Sequence, residues 1–170
     1  MKTKILSISL LALLILSCNK EPDSTTTTPT SPPSSTSSPA EFTIGGTKHS
    51  FASSGLYGFY DTNNDDVNVK TTPGLDPLNI GGFSLMDLDK DAVAGDTQSM
   101  IEFSGATFYF VESVSAQYTS ESGTITFTSH DKTAKRIKGT FSCVVKNAFN
   151  TSQKKNVTGS FDFSYTTNLP

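Results

Sequence analysis

Residues 122–165 read SGTITFTSHDKTAKRIKGTFSCVVKNAFNTSQKKNVTGSFDFSY, and this stretch decides the fold. Ile125 and Phe127 alternate with Thr, then Ile137, Phe141, Cys143 and Val145 follow, then Val157, Phe161, Phe163 and Tyr165. Successive strand side chains point to opposite faces, so each run places its apolar residues on one side of a sheet. The segments between them, around His130-Asp131-Lys132 and across 147–156, are polar in the way hairpin connections are. Three strands in a meander are predicted.

Working outward, Phe42–Ile44, His49–Tyr60, Val67–Thr71, Leu78–Leu88, Ser99–Ser104 and Thr107–Tyr118 read as further strands. They are divided by Gly45-Gly46, the run Asp61 to Asp66, Pro73-Gly74 and Gly95. The pattern gives about eight or nine strands, and nothing beyond Phe42 carries a sustained 3.6-residue apolar stripe. An all-β antiparallel domain follows, a β-sandwich or flattened barrel, because so many strands without helices must stack or close to bury one face. Gly81-Gly82 and Gly139 inside strand patterns mark bulges or bends. All 12 Phe and five Tyr lie from Phe42 onward, which places the core in residues 41–170.

The first 40 residues have a different composition. Lys2 and Lys4 precede a mostly apolar run, Ile5 to Leu16, interrupted by Ser7 and Ser9. A membrane-spanning helix needs roughly 20 apolar residues, so this run is a cleaved export signal covering 1–17 rather than a span. From Pro22 to Pro39 the chain holds five Pro, six Ser, six Thr and one Asp, with no apolar side chain to bury. Residues 18–40 are therefore expected to be a disordered linker, extending up to about 55 Å at 3.1 Å per residue across the Pro-rich part.

The run ends in Ile15-Leu16-Ser17-Cys18, which resembles the lipobox of bacterial lipoproteins; Leu16 stands where that family most often has Ala or Ser. The resemblance implies cleavage between Ser17 and Cys18, a diacylglycerol on the Cys18 sulfur and an acylated amino group. About three acyl chains would make attachment nearly permanent, whereas a single myristoyl chain binds only marginally. Asn19, rather than Asp, is compatible with outer-membrane sorting. Lys20-Glu21 loosely resembles the export tag of Bacteroidota lipoproteins, which leaves periplasmic and cell-surface faces both open. Asp23-Ser24-Thr25 resembles the O-glycosylation site of Bacteroidota secreted proteins, making Ser24 a candidate acceptor beside the plainer reading of a bare linker.

A second resemblance lies in the domain. Ser122-Gly123-Thr124-Ile125-Thr126-Phe127, Gly139-Thr140-Phe141-Ser142 and Gly159-Ser160-Phe161-Asp162 resemble the closing strands of a family of uncharacterised small Bacteroidota lipoproteins. In that family an aromatic more often stands at the position of Cys143. The resemblance implies fold, lineage and location, and no activity.

Charge narrows the partners. Removing Lys2 and Lys4 with the signal leaves 11 basic against 16 acidic residues, a net of -5, so neither nucleic acid nor an anionic bilayer is an electrostatic partner. The charge is segregated along the chain: Glu41 to Ile125 carries three basic and 12 acidic residues, Thr126 to Pro170 seven basic and two acidic. Lys135, Arg136, Lys138, Lys154 and Lys155 either steer an acidic partner or glycan or blunt exposed strand edges.

Asp61, Asn63, Asp65 and Asp66, and then Asp87, Asp89, Asp91 and Asp96, are oxygen-rich clusters of the kind that hold Ca²⁺. Both fail the EF-hand pattern at its Gly and Glu positions, and Asp and Asn favour turns on their own account. With Cys18 used by lipid, Cys143 has no disulfide partner in the chain and reads as a buried, inert thiol. His49 and His130 are the only histidines, and no Gly-x-Ser-x-Gly elbow is present. Glu102, Glu112 and Glu121 remain as carboxylates for glycoside chemistry should they meet in space. The expectation is a monomeric, lipid-anchored, non-catalytic module with no cofactor, binding a small apolar ligand, a glycan or an envelope protein. The alternatives are a hydrolase whose site is invisible in sequence, or a Ca²⁺-binding surface protein.

Overall fold

The computed structural model describes residues 39–71 and 80–167. The signal segment, Ser17, Cys18 and Ser24 lie outside the described residues. Among the described residues ten strands form one antiparallel sheet: β1 (Ala40–Ile44), β2 (Thr47–Phe51), β3 (Tyr57–Asp61), β4 (Asp66–Lys70), β5 (Phe83–Asp89), β6 (Thr97–Ser99), β7 (Thr107–Ser113), β8 (Ala116–Asp131), β9 (Arg136–Asn147) and β10 (Lys154–Ser164). Their order is β2-β1-β10-β9-β8-β7-β5-β4-β3, with β6 paired to β8 off this path. The expected meander is β8-β9-β10, the longest strands of the sheet.

The sheet curls into a half-barrel, and a seam forms where β3 meets the chain just after β10. Tyr60 N–H donates to the Thr166 carbonyl at 2.7 Å and Thr166 N–H to the Gly58 carbonyl at 3.1 Å. A Cβ on Gly58 would lie 2.4 Å from the Ser164 carbonyl oxygen. Only glycine permits that approach.

The predicted strand 49–60 is two strands, because Ser53-Ser54-Gly55 makes a 3-10 turn between β2 and β3. The run 107–118 is likewise divided, between Ser113 and Ala116, by a tight turn whose exposed tip residue is Val114. An apolar residue at a turn tip keeps the alternation going through the turn. The segment 99–104 is mostly loop, with Phe103 at φ 64°, and the strand expected from Leu78 starts at Phe83, after Gly81 at φ 87°.

The concave face carries the core. Phe108, Phe110, Phe127, Leu85, Ile125 and Ile137 are essentially solvent-free. Phe42 of β1 lies 5.1 Å from Phe108 and 5.3 Å from both Phe83 and Phe110, and Phe108 lies 5.5 Å from Phe141 of β9. Such offset and edge-on ring pairs add about 0.5–1.5 kcal/mol beyond the area they bury. The rings fold over glycines: Phe161 pairs with Gly139 and Phe141 with Gly159 across adjacent strands. A Cβ on Gly139 would sit 2.5 Å from Phe161 Cζ, and one on Gly159 equally close to Phe141 Cζ. Gly139 also faces Phe127 on β8, where the register slips between Phe127 and Ser129, so the bend expected at Gly139 coincides with a bulge. Among the described residues no helix is long and apolar enough to cross a membrane.

Candidate functional site

Four segments converge at one end of the half-barrel: the β3–β4 turn, the loop after β5, the β8–β9 turn and residues 165–167. The described chain also enters here, where the Pro39 carbonyl accepts the Asp162 N–H at 2.6 Å. Tyr60, Lys90, Asp91, Lys132, Lys135, Tyr165 and Thr167 line an open cleft of about 290 Å³.

Its charges are ordered by short contacts. Asp91 accepts from Lys90 at 2.6 Å and from Lys132 at 2.7 Å, and these two ammonium groups hold its carboxyl down at about 2. Lys90 also reaches Asp65 at 3.2 Å, and hydrogen bonding to Asp91 and Asp65 raises its pKa. The Tyr60 hydroxyl donates to Asp65, which lowers the Asp65 pKa and raises that of Tyr60. Lys135 Nζ donates to Thr167 Oγ1 at 3.1 Å and, among the described residues, has no carboxylate partner.

His130 supports the cleft from beneath. Its Nδ1 lies 3.2 Å from the Ala92 carbonyl oxygen and its Nε2 lies 2.9 Å from Tyr165 Oη. A carbonyl only accepts, so in the neutral imidazole the proton is on Nδ1 and Nε2 accepts from the Tyr165 hydroxyl. Both cleft tyrosines therefore have their hydroxyl protons committed, Tyr60 to Asp65 and Tyr165 to His130, and offer lone pairs. Burial, with Asp131 acting in the same sense and Lys132 against it, raises the Tyr165 pKa.

Four described non-glycine residues adopt positive φ: Asp65, Asp87, Phe103 and Lys135, at 62°, 59°, 64° and 50°. Two of the four, Asp65 and Lys135, border the cleft. For Lys this conformation costs roughly 1–2 kcal/mol, and such costs concentrate at functional positions.

The acidic clusters take local partners. Asp61 accepts from Asn63 N–H at 2.8 Å and from Asn64 Nδ2 at 3.2 Å, and Asp89 accepts from Asp91 N–H at 2.7 Å. Asp87 N–H donates to Asn68 Oδ1 at 3.0 Å. Asn63 enters this turn through its backbone N–H, which the Asp61 carboxylate caps. Among the described residues no three His, Cys, Asp or Glu side chains gather to hold a metal ion. The three glutamates each take a different lysine: Glu102 with Lys146 at 3.3 Å, Glu112 with Lys155 at 2.8 Å, Glu121 with Lys154 at 2.7 Å. His49 stacks on Phe42 and lies tilted against Phe110. Cys143 is buried, and burial pushes its thiol up to about 12.

Reasoning from sequence missed two features. One is the cleft, drawn from Tyr60, Lys90, Lys132, Lys135 and Tyr165, which no spacing connects. The other is the pair Asp66 and Asp87, where burial, then a hydrogen bond that protonated Asp66 donates to the Asp87 carboxylate, raises Asp66 to about 6. A second depression, about 320 Å³ on the outer wall of β1 and β10, pairs its Lys48 with Glu41 at 3.0 Å.

The geometry defines an all-β half-barrel with a packed interior and a lysine-rich cleft at one end. Compared with known proteins, the chain matches no family, no curated protein and no solved structure.

Proposed function

We propose that this protein is a non-catalytic binding module, held on the cell envelope by lipid at Cys18 and engaging a polar extracellular ligand, a glycan, at the end cleft. The observation that carries the reading is Lys135: a cation without a carboxylate partner among the described residues, held at positive φ in a cleft it lines with Tyr60, Tyr165 and an ordered Lys90-Asp91-Lys132 cluster. The packed rings favour an external ligand over an apolar one inside, since Phe42, Phe83, Phe108, Phe110 and Phe141 already touch across the interior. A binding role rather than catalysis is supported by the nucleophile inventory. Cys143 is buried, and both nitrogens of His130 are engaged by Ala92 and Tyr165 rather than by a Ser or Cys.

The test is a glycan array probed with the detergent-solubilised mature protein. Binding to one glycan class, lost in Lys135→Gln, supports the reading. Binding unchanged by Lys135→Gln, or none on any glycan, refutes the assignment of the cleft.

A further inference from the structure

The cleft mixes two kinds of polar group. Lys90, Lys132 and Lys135 offer N–H donors, while Tyr60 Oη, Tyr165 Oη and Asp91 offer lone pairs, the tyrosine protons being already given to Asp65 and His130. A ligand that only accepts, such as sulfate, would satisfy the lysines and face three oxygen groups with nothing to donate. A neutral sugar would satisfy the oxygens and leave Lys135 without an anion. We propose that the cleft binds an acidic sugar unit, a hexuronate-like pyranose whose carboxylate meets Lys135 and whose ring hydroxyls donate to Tyr60, Tyr165 and Asp91. This rests on the reading of the cleft as the ligand site.

Size and shape agree with a short segment. Small-molecule sites run from roughly 300 to 1,000 Å³, and at about 290 Å³ this cleft takes one ring with its substituents. The Tyr60 and Tyr165 rings supply apolar wall for the C–H edges of a pyranose. The turn geometry serves the charge, since Lys135 at φ 50° keeps its backbone carbonyl on Tyr165 N–H at 2.9 Å while its side chain reaches Thr167. The lysine that takes the carboxylate and the tyrosine that takes a hydroxyl are thus fixed to each other.

The experiment is isothermal titration of the full mature chain in detergent with three probes: a hexuronate oligosaccharide, its carboxyl-reduced neutral counterpart and inorganic phosphate. Each is run on wild type, Lys135→Gln, Lys135→Arg and Tyr165→Phe. A charge-assisted hydrogen bond is worth about tenfold or more in affinity. The uronate should therefore bind at least tenfold tighter than the reduced sugar, lose that margin in Lys135→Gln and keep it in Lys135→Arg. Tyr165→Phe, which removes the oxygen, should weaken acidic and reduced sugars alike. Equal binding of both sugars, lost in Tyr165→Phe, overturns the acidic class while leaving the glycan module standing. Binding of phosphate alone overturns the inference in favour of a simple anion site. No binding of any probe, or uronate binding indifferent to Lys135→Gln, overturns both this inference and the cleft assignment.

Discussion

Replacing Asp66 with Asn should stabilise the domain at neutral pH. Asp66 begins β4, is 9% exposed, and accepts from Asn68 Nδ2 at 2.6 Å beside Asp87 and Asp61. Burial first, and then the Asp87 carboxylate, raise its pKa from 3.8 to about 6. Between those values the native state holds a proton that the unfolded chain has released, so stability falls as pH rises through this window. At about 1.4 kcal/mol per unit, the wild type loses roughly 3 kcal/mol between pH 4 and pH 7 from this one group. An Asn at 66 reproduces the protonated acid: its oxygen still accepts from Asn68 and its amide donates to Asp87. The variant should match wild type near pH 4 and exceed it by about 3 kcal/mol at pH 7, some 10 °C in melting temperature.

Urea unfolding followed by tyrosine fluorescence reads this directly, as the chain has five Tyr and no Trp. Asp65 and Asp91, whose pKa values are lowered by Tyr60 and by Lys132 and Lys90, lose their contribution as pH falls below the ordinary carboxylate range. Their effect has the opposite sign and cancels in the difference between variant and wild type. A difference that stays constant from pH 4 to pH 8, or a destabilised variant at pH 7, would refute the reasoning.

Other substitutions probe the remaining features. Gly139→Ala places a Cβ 2.5 Å from Phe161 Cζ and 2.7 Å from the Thr126 carbonyl oxygen, and should cost about 2–4 kcal/mol by chemical denaturation. Gly55→Ala, in open space, should be neutral within about 0.5 kcal/mol. Lys135→Gly relieves the positive φ and should hold or raise stability by up to about 1 kcal/mol while weakening uronate binding about tenfold or more, a split visible by running melting and titration on the same sample. Cys143 should resist thiol reagents at pH 8 in the native state and react at the rate of unfolding, which mass spectrometry can follow. Cys18→Ser should abolish fatty-acid labelling and detergent partitioning while leaving the fold intact; equal labelling in both proteins sinks the lipid anchor.

The C-terminal meander was legible because its strands alternate cleanly and its turns are polar. β9 buries Ile137, Gly139, Phe141, Cys143, Val145 and Asn147 in strict alternation. Strand ends were less legible wherever a turn carried an apolar residue or a strand began late. Val114 hid the division between β7 and β8, and only the backbone turn of Gly81 shows why β5 starts at Phe83. Gly139 could be read as a bend, but the ring lying over it could not, since Phe161 is brought there by cross-strand register rather than by proximity in sequence. The acidic clusters were visible as composition. Their division into turn caps, a lysine-bridged pair and the buried Asp66 depends on loops that meet only after the sheet has curled.

Charge shows how the curled sheet turns a sequence pattern into a site. The seven basic residues after Ile125 read as a cationic surplus against an acidic first part of the domain. In the folded sheet most of that surplus is spent: Lys132 on Asp91, Lys146 on Glu102, Lys154 on Glu121, Lys155 on Glu112, and Arg136 with Lys138 on Asp162. Four of these six side chains cross to acids of the earlier segment, because the meander lies beside the strands and loops that carry those acids. Exposed pairs of this kind contribute little stability each, but they neutralise the surface locally and remove it as a docking field. Of these seven, Lys135 is left without a carboxylate among the described residues, in a strained turn at the cleft it lines with Tyr60 and Tyr165. The same curl that cancels the rest of this surplus thus leaves Lys135 without a carboxylate in a cleft, and this makes Lys135, rather than the basic segment as a whole, the residue on which binding should depend.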